Sequence, residues 1–340
     1  MMKNIVRYRR SDAQQPWRGR SHAIPCLILV FYFSCGFSYL PSFLHTENLI
    51  SILFSCAITL PVAMGMQALL ILGFFDLSVG AIASFIGMVF GLSLLASGSF
   101  VLAIVVALFC ALVIGIANGL FVTKLSINPL ISTLAMTGIL RSLSLSVNDG
   151  RIVSSLPQAL SGIVSVRLAD IPVLILLGFL LVVALEFCFR YVVPFRRLYA
   201  VGANPPAANH AGIHVASVVV AGYIAIAVGS AATGIIQTSR TLSGSPLIFD
   251  TLGLEMIAAC IIGGSTLRGG QGTMIGAALG SLVVTSTRDF VVLLDVSVFW
   301  KDGALGLLLL GITSLDYLKS RLDTYGSAFP IRSSPLGGDR

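Results

Sequence analysis

The feature that most constrains this chain is a succession of apolar stretches, each about as long as a bilayer is thick. A helix needs about 20 apolar residues to cross a hydrocarbon core of about 30 Å. Ten such stretches are legible, at about 24–40, 49–73, 78–97, 100–121, 127–146, 171–189, 215–236, 253–263, 273–287 and 298–315. The eighth and ninth are short, and a glycine-rich turn divides them. They are expected to be tilted, broken or partly re-entrant. The expected fold class is all-α, a polytopic membrane bundle of about 10 transmembrane helices.

Composition agrees with lipid as the main solvent. Of 340 residues, 56% are hydrophobic and 10% are charged, against roughly 25% charged in a soluble domain. No polar linker divides the chain, so one membrane domain at 24–315 is expected. It is flanked by a basic tail at 1–23 and a polar tail at 316–340. The six cysteines (Cys26, Cys35, Cys56, Cys110, Cys188 and Cys260) all lie in apolar stretches without C-x-x-C spacing. They read as small apolar residues rather than a disulfide framework or a metal site.

The net charge of +7 does not point to nucleic acid, because the basic residues sit between apolar spans, where they set topology. With the N-terminus inside and ten alternating helices, fifteen Lys and Arg fall inside. They are Lys3, Arg7, Arg9, Arg10, Arg18, Arg20, Lys124, Arg190, Arg196, Arg197, Arg268, Lys319, Arg321, Arg332 and Arg340. Five fall outside: Arg151, Arg167, Arg240, Arg288 and Lys301. The bias places both termini in the cytoplasm. The first span could be a signal-peptide core, but no small-residue cleavage site follows it. An uncleaved first helix anchoring the basic tail is favoured.

Polar groups inside a membrane call for a reason. Gln67, Asn118, Thr133, Arg141, Glu186 and Glu255 lie within or at the ends of spans. Arg141 either snorkels or lines a wet cavity. Glu186 snorkels or pairs with Arg190 at i+4, and Gln67 and Asn118 suit interhelical hydrogen bonds. Gly80, Gly87 and Gly91, and the pair Gly276 and Gly280, suit close helix packing. No mid-span acid–base pattern suggests a proton relay. The histidines (His22, His45, His210 and His214) lie in tails or loops, and no catalytic set emerges.

Three segments are more specific. Asp76-Leu77-Ser78-Val79-Gly80 precedes the third span, where a side-chain oxygen can cap the helix start. Residues 196–213 form an inside loop in which Pro206 can begin a short helix and Gly212 can end it. That helix suits docking by a soluble partner, or is a plain interfacial helix. Gly263-Gly264-Ser265 through Arg268-Gly269-Gly270-Gln271-Gly272 is glycine-rich, but it lacks phosphate-loop spacing and follows apolar helix rather than a strand. It reads as a tight turn between two short helices.

Taken together and in order, these pieces resemble the permease subunits of ribose/xylose-type ABC importers, which include autoinducer-2 permeases, in the branched binding-protein-dependent transport family. The matching residues are Asp76, Ser78 and Gly80; Asn118-Gly119 with Pro129, Thr133 and Leu134; Gly202-Ala203-Asn204 with Ala207, Ala208 and Gly212; and Leu254-Glu255 through Ile257-Ala258-Ala259 to Gly263, Gly264, Gly269, Gly270 and Gly272. The resemblance spans about residues 60–285. It implies a fold similar to the vitamin B12-type (type II) importer permease in the bacterial cytoplasmic membrane, with two permease copies or paralogues forming the pathway. Two cytoplasmic ABC ATPases would bind below and carry the ATP and Mg, so this chain would have no catalytic residue, cofactor or metal of its own. A solute-binding protein would dock from outside. Arg196, Arg197, Gly202, Asn204, Ala207, Ala208 and Gly212 are expected to couple to the ATPase. Asn118, Thr133 and Glu255 are expected in the pathway or its support. The expected cargo is a sugar or sugar-like solute. The rival class is an ion-gradient-driven secondary transporter.

Overall fold

The computed structural model describes residues 23–295 together with Trp300, Gly303, Gly306 and Leu307. The basic tail up to residue 22, the rest of the tenth expected span at 298–315, and the tail at 316–340 lie outside the described residues. In chain order the helices are α1 (Ala23–Tyr39), a 3-10 turn (Pro41–Leu44), α2 (Thr46–Leu72), α3 (Val79–Ser97), α4 (Phe100–Thr123), α5 (Pro129–Ser146) and α6 (Ala159–Val164). A hairpin of β1 (Arg167–Leu168) and β2 (Ile171–Pro172) follows. Then come α7 (Val173–Tyr191), α8 (Val193–Ala203), α9 (Pro205–His210), α10 (Val215–Thr241), α11 (Leu252–Ile262) and α12 (Met274–Leu293). The all-α expectation therefore holds apart from two strands of two residues each.

Among the described residues six helices are long and apolar enough to cross a membrane: α2, α3, α4, α7, α10 and α12. This is fewer than the nine spans expected there, and each difference has a local cause. The apolar part of α1 is only Pro25–Ser34. α5 is long enough but is interrupted by serines, threonines and Arg141. α11 has 11 residues, or about 16 Å of helix, roughly half the hydrocarbon core. Many large apolar side chains on α4 and α7 are exposed, among them Phe109, Leu177, Phe179 and Leu180. Surfaces of this kind suit lipid or a protein partner rather than water.

The bundle is organised around α2 and α10, which pack along most of their length and against α3, α4 and α12. Small residues allow the close approach. A Cβ at Gly234 would collide with the Ala83 carbonyl on α3, and one at Gly229 with the Pro61 carbonyl on α2. Pro61 breaks the α2 ladder locally, since it donates no N–H. One residue past the carbonyl it orphans, the Thr233 hydroxyl donates to the Ile58 carbonyl at 2.7 Å, a threonine bond of the kind that supports helix interruptions in lipid.

The two ends of the bundle sort the connections as alternating helices require. Val153 in the long α5–α7 loop bridges to Gly244 after α10, so these two loops share one end. At the other end α8 meets the glycine-rich turn, where the Tyr199 hydroxyl donates to the Gly272 carbonyl at 2.8 Å. The loop between α7 and α10, expected to hold one short helix, holds two. The additional one, α8, is amphipathic and presents Tyr199 and Val201 to the core.

Candidate functional site

Three clusters gather the residues singled out from sequence. The first lies between α2 and α3. Asp76 is fully buried by protein. Its Oδ1 accepts the Ser78 N–H at 2.7 Å and the Ser78 hydroxyl at 2.5 Å, and its Oδ2 accepts from Asn118 Nδ2 at 3.1 Å. Asn118 also donates to Ser78 Oγ at 3.0 Å. Asp76 thus closes a turn onto Ser78, the residue just before α3, and no side chain among the described residues caps the first N–H groups of that helix. The Ser78 hydroxyl does not cap α3; it serves the carboxylate instead. Three donors on one buried carboxylate are the condition under which such burial is tolerated. Gly80 lies against the Phe249 carbonyl, tying α3 to the segment before α11. Thr133 on α5 is buried, and its hydroxyl bonds back to the Pro129 carbonyl at 2.8 Å within its own helix.

The second cluster is a joint between α8, the end of α2 and the turn at 263–273. Gly202 has no room for a side chain, because a Cβ would strike the Ile71 carbonyl and the Gly270 nitrogen. The Gly270 N–H donates to that same Ile71 carbonyl at 2.7 Å. Gly264, Gly269, Gly270 and Gly272 all have positive φ, which glycine adopts without steric penalty. The Ser265 hydroxyl donates to Gln67 Oε1 at 2.6 Å, and a Cβ at Gly272 would strike Gln67 Nε2. Gly263 and Gly276 bring α11 and α12 into backbone contact. The turn is thus a packed plug rather than an open loop. Burial, with Glu186 adding to it and Arg190 opposing it, pushes the Tyr199 hydroxyl above its ordinary pKa, so it stays a donor to Gly272.

Glu186 completes the joint. It pairs with Arg190 at 2.7 Å, the i+4 pairing read from sequence. Its other oxygen, Oε2, accepts the N–H groups of Met274 at 2.8 Å and Ile275 at 3.3 Å. A carboxylate at a helix N-terminus satisfies orphan donors and faces the positive end of the helix dipole. Sequence reasoning missed this role, because the two partners are 88 residues apart.

Helix α9 projects from this joint. Asn204 caps it by accepting the Ala207 N–H at 3.1 Å, and Pro205 occupies its first turn. At its end the Ile213 N–H reaches back to the Ala208 carbonyl at 3.0 Å, with Gly212 at φ +80°. Ala208 is buried, whereas Asn204, Ala207, Gly212, Arg196 and Arg197 are exposed. Of the seven residues expected to couple, Gly202 and Ala208 therefore face inward, and the other five form an accessible surface.

The third cluster lies at the opposite end of the bundle. Glu255 on α11 is buried and forms an ion pair with Arg288 on α12, and the Thr251 hydroxyl donates to the same Glu255 oxygen. They border a cavity of about 320 Å³ that also involves Thr59 on α2 and Gln237 and Arg240 on α10. Arg240 lies 4.9 Å over the Phe54 ring, a cation–π geometry. Arg240 and Arg288, assigned from sequence to loops, stand inside helices that run further than expected, Arg240 in the last turn of α10 and Arg288 five residues before the end of α12. Arg141 pairs with Asp250 at 3.2 Å, both about half exposed.

Comparison with known proteins defines the class. Residues 48–313 match the family described as "Branched-chain amino acid transport system / permease component", and this chain belongs to that family. It is 34% identical over 283 residues to the ribose import permease protein RbsC of Bacillus subtilis, covering 82% of this chain and 88% of the relative. It is 31% identical over 262 residues to the autoinducer 2 import system permease protein LsrC of Yersinia pseudotuberculosis serotype O:3, covering 77% and 75%. A probable ABC transporter permease protein, y4mJ of Sinorhizobium fredii, is 31% identical over 304 residues, covering 88% and 90%. No solved structure matches the chain. The chain is a multi-pass membrane permease of the ribose and autoinducer-2 type.

Proposed function

We propose that this chain is the permease subunit of a bacterial ABC importer for a sugar or sugar-like solute, powered by ATP hydrolysis on separate subunits. The observation that carries the reading is the likeness to import permeases over more than three quarters of the chain. Residues 24–315 form one permease domain of about ten spans with a vitamin B12-type fold, set in the cytoplasmic membrane with the tails at 1–23 and 316–340 inside. Two permease subunits, identical or paralogous, form the pathway, and a solute-binding protein delivers cargo from outside. ATP and Mg stay on the ATPase.

Helix α9 is the ATPase contact. Its exposed surface supports this role, and so does its attachment to a packed joint that can transmit force. Motion of α9 passes through α8 to the glycine turn and so to the start of α12, whose far end carries Arg288. ATP can drive this shift only if the ATPase binds the two bundle states with different affinity.

The test is a pull-down of the tagged chain from its native membranes in gentle detergent, with mass spectrometry of the captured proteins. A stoichiometric cytoplasmic ATPase is expected. The Gly212→Trp variant is expected to insert normally, lose the ATPase and abolish uptake. Uptake by an ATPase-free complex that collapses with the ion gradient at constant ATP would replace this reading with a gradient-driven transporter.

A further inference from the structure

The cavity at the end of the bundle opposite α9 has the chemistry of a ligand site. Its polar lining comes from four separate segments: Thr59 on α2, Gln237 and Arg240 on α10, Thr251 with Glu255 at α11, and Arg288 on α12. A purely structural ion pair needs no such gathering. Its volume of about 320 Å³ lies at the small end of ligand pockets, which suits a monosaccharide better than a larger solute.

The hydrogen bonding inside it is incomplete in an informative way. Glu255 Oε1 takes both the Arg288 guanidinium and the Thr251 hydroxyl. No hydrogen bond to Glu255 Oε2 is present among the described residues, and Arg288 Nε is buried without a partner among them. A buried donor left unpaired is unfavourable. Arg288 Nε is enclosed by the protein, so what the ion pair holds ready for a solute hydroxyl is the unbonded carboxylate oxygen of Glu255. Gln237 adds an amide with both functions. Glu255 offsets the charge of Arg288; Arg240 keeps its charge but lies over the Phe54 ring, and the anionic control below separates a neutral solute from an anion.

We propose that this cavity is a binding subsite for a neutral polyhydroxylated solute of monosaccharide size, held by the Glu255–Arg288 pair and Gln237. The proposal rests on the importer reading above and adds to it a place on this chain where cargo is recognised, apart from any binding protein.

Saturation-transfer NMR on the full chain in lipid nanodiscs tests it, with D-ribose, D-xylose, D-galactose and myo-inositol as probes and ribose 5-phosphate as the anionic control. At least one neutral probe is expected to bind. Glu255→Gln and, separately, Gln237→Ala are expected to weaken it about tenfold, the loss that accompanies removal of one strong hydrogen bond. Gln237 is only half-buried and outside the ion pair, so its variant reports on binding even if the Glu255 variant does not fold. Absence of binding by all four neutral probes, binding unaltered in folded Gln237→Ala, or preference for ribose 5-phosphate would each overturn the proposal. Capture of the ATPase by the wild-type chain is read separately. A chain that captures its ATPase yet binds no neutral probe defeats the cavity and leaves the importer reading standing.

Discussion

Helix α9 and the joint that carries it are built from the same small residues, yet their surroundings differ. Around α9 the helix is held by its own caps, Asn204 at the start and the reach of Ile213 back to Ala208 at the end. Nothing lies within 4 Å of where a Cβ on Gly212 would be. Around Gly202 the backbone of α2 and the glycine turn fill the space that a Cβ would occupy. One glycine is required by its own backbone angle, the other by its neighbours. A segment stabilised by local caps can be grasped and moved as a unit. A segment interlocked through backbone carbonyls transmits that motion to whatever it touches. Such a division suits a lever and its bearing.

The sharpest way to break this comparison is Gly202→Ala. The new methyl would meet backbone on two elements, so no side chain can swing aside. Overpacking of this kind costs roughly 1–3 kcal/mol or more, and the lost Gly270–Ile71 bond adds to it. Little folded protein is expected in the membrane fraction, read by fluorescence-detected size exclusion. Normal yield and melting temperature would show the joint to be loose.

Glu186→Ala comes next. It leaves Arg190 without its carboxylate and removes the acceptor from the first N–H groups of α12. Loss of one partner from a buried pair costs about 3–5 kcal/mol. Arg190 is nearly half exposed, so a loss nearer 2 kcal/mol is expected, on the scale of a strong cap. Glu186→Gln should restore part of it by keeping an acceptor on α12. A melting temperature unchanged in both variants would remove Glu186 from the joint.

These sites differ in how far the sequence exposed them. The long spans were legible because lipid imposes a length and an apolar composition on each, which single residues cannot disguise. α9 was legible from Pro206 and Gly212, whose backbone demands are local. α8 was not, since its apolar side chains alternate with Arg196 and Arg197 and its partner surface comes from α2 and the glycine turn. The glycine turn was recognised as a tight turn, but its burial depends on Gln67 and Tyr199 from distant segments. Glu255 was noticed as an acid inside a span. Its partner Arg288 was not placed with it, because the end of α12 was set several residues short. Asn118 was read as suited to an interhelical hydrogen bond or to supporting the pathway; its bonds to Asp76 and Ser78 tie α4 to the turn before α3. Long-range pairing of this kind has no local signature.

The smallest expected effect is also the most discriminating. Gly212→Ala adds a methyl where space is open but the backbone angle is left-handed. The strain of an L-residue there is about 1 kcal/mol, and Gly212→Asn should be milder, since asparagine tolerates that conformation. Neither change touches the joint, so global melting should move by a few degrees at most. The local effect is fraying of the last turn of α9, read as faster amide exchange at Ala211, Gly212 and Ile213. If α9 is a rigid lever, the faster exchange should track a graded fall in transport, with alanine worse than asparagine. Faster exchange without any change in transport would mean that force enters the joint through α8 directly, and that α9 is only a loop on its surface.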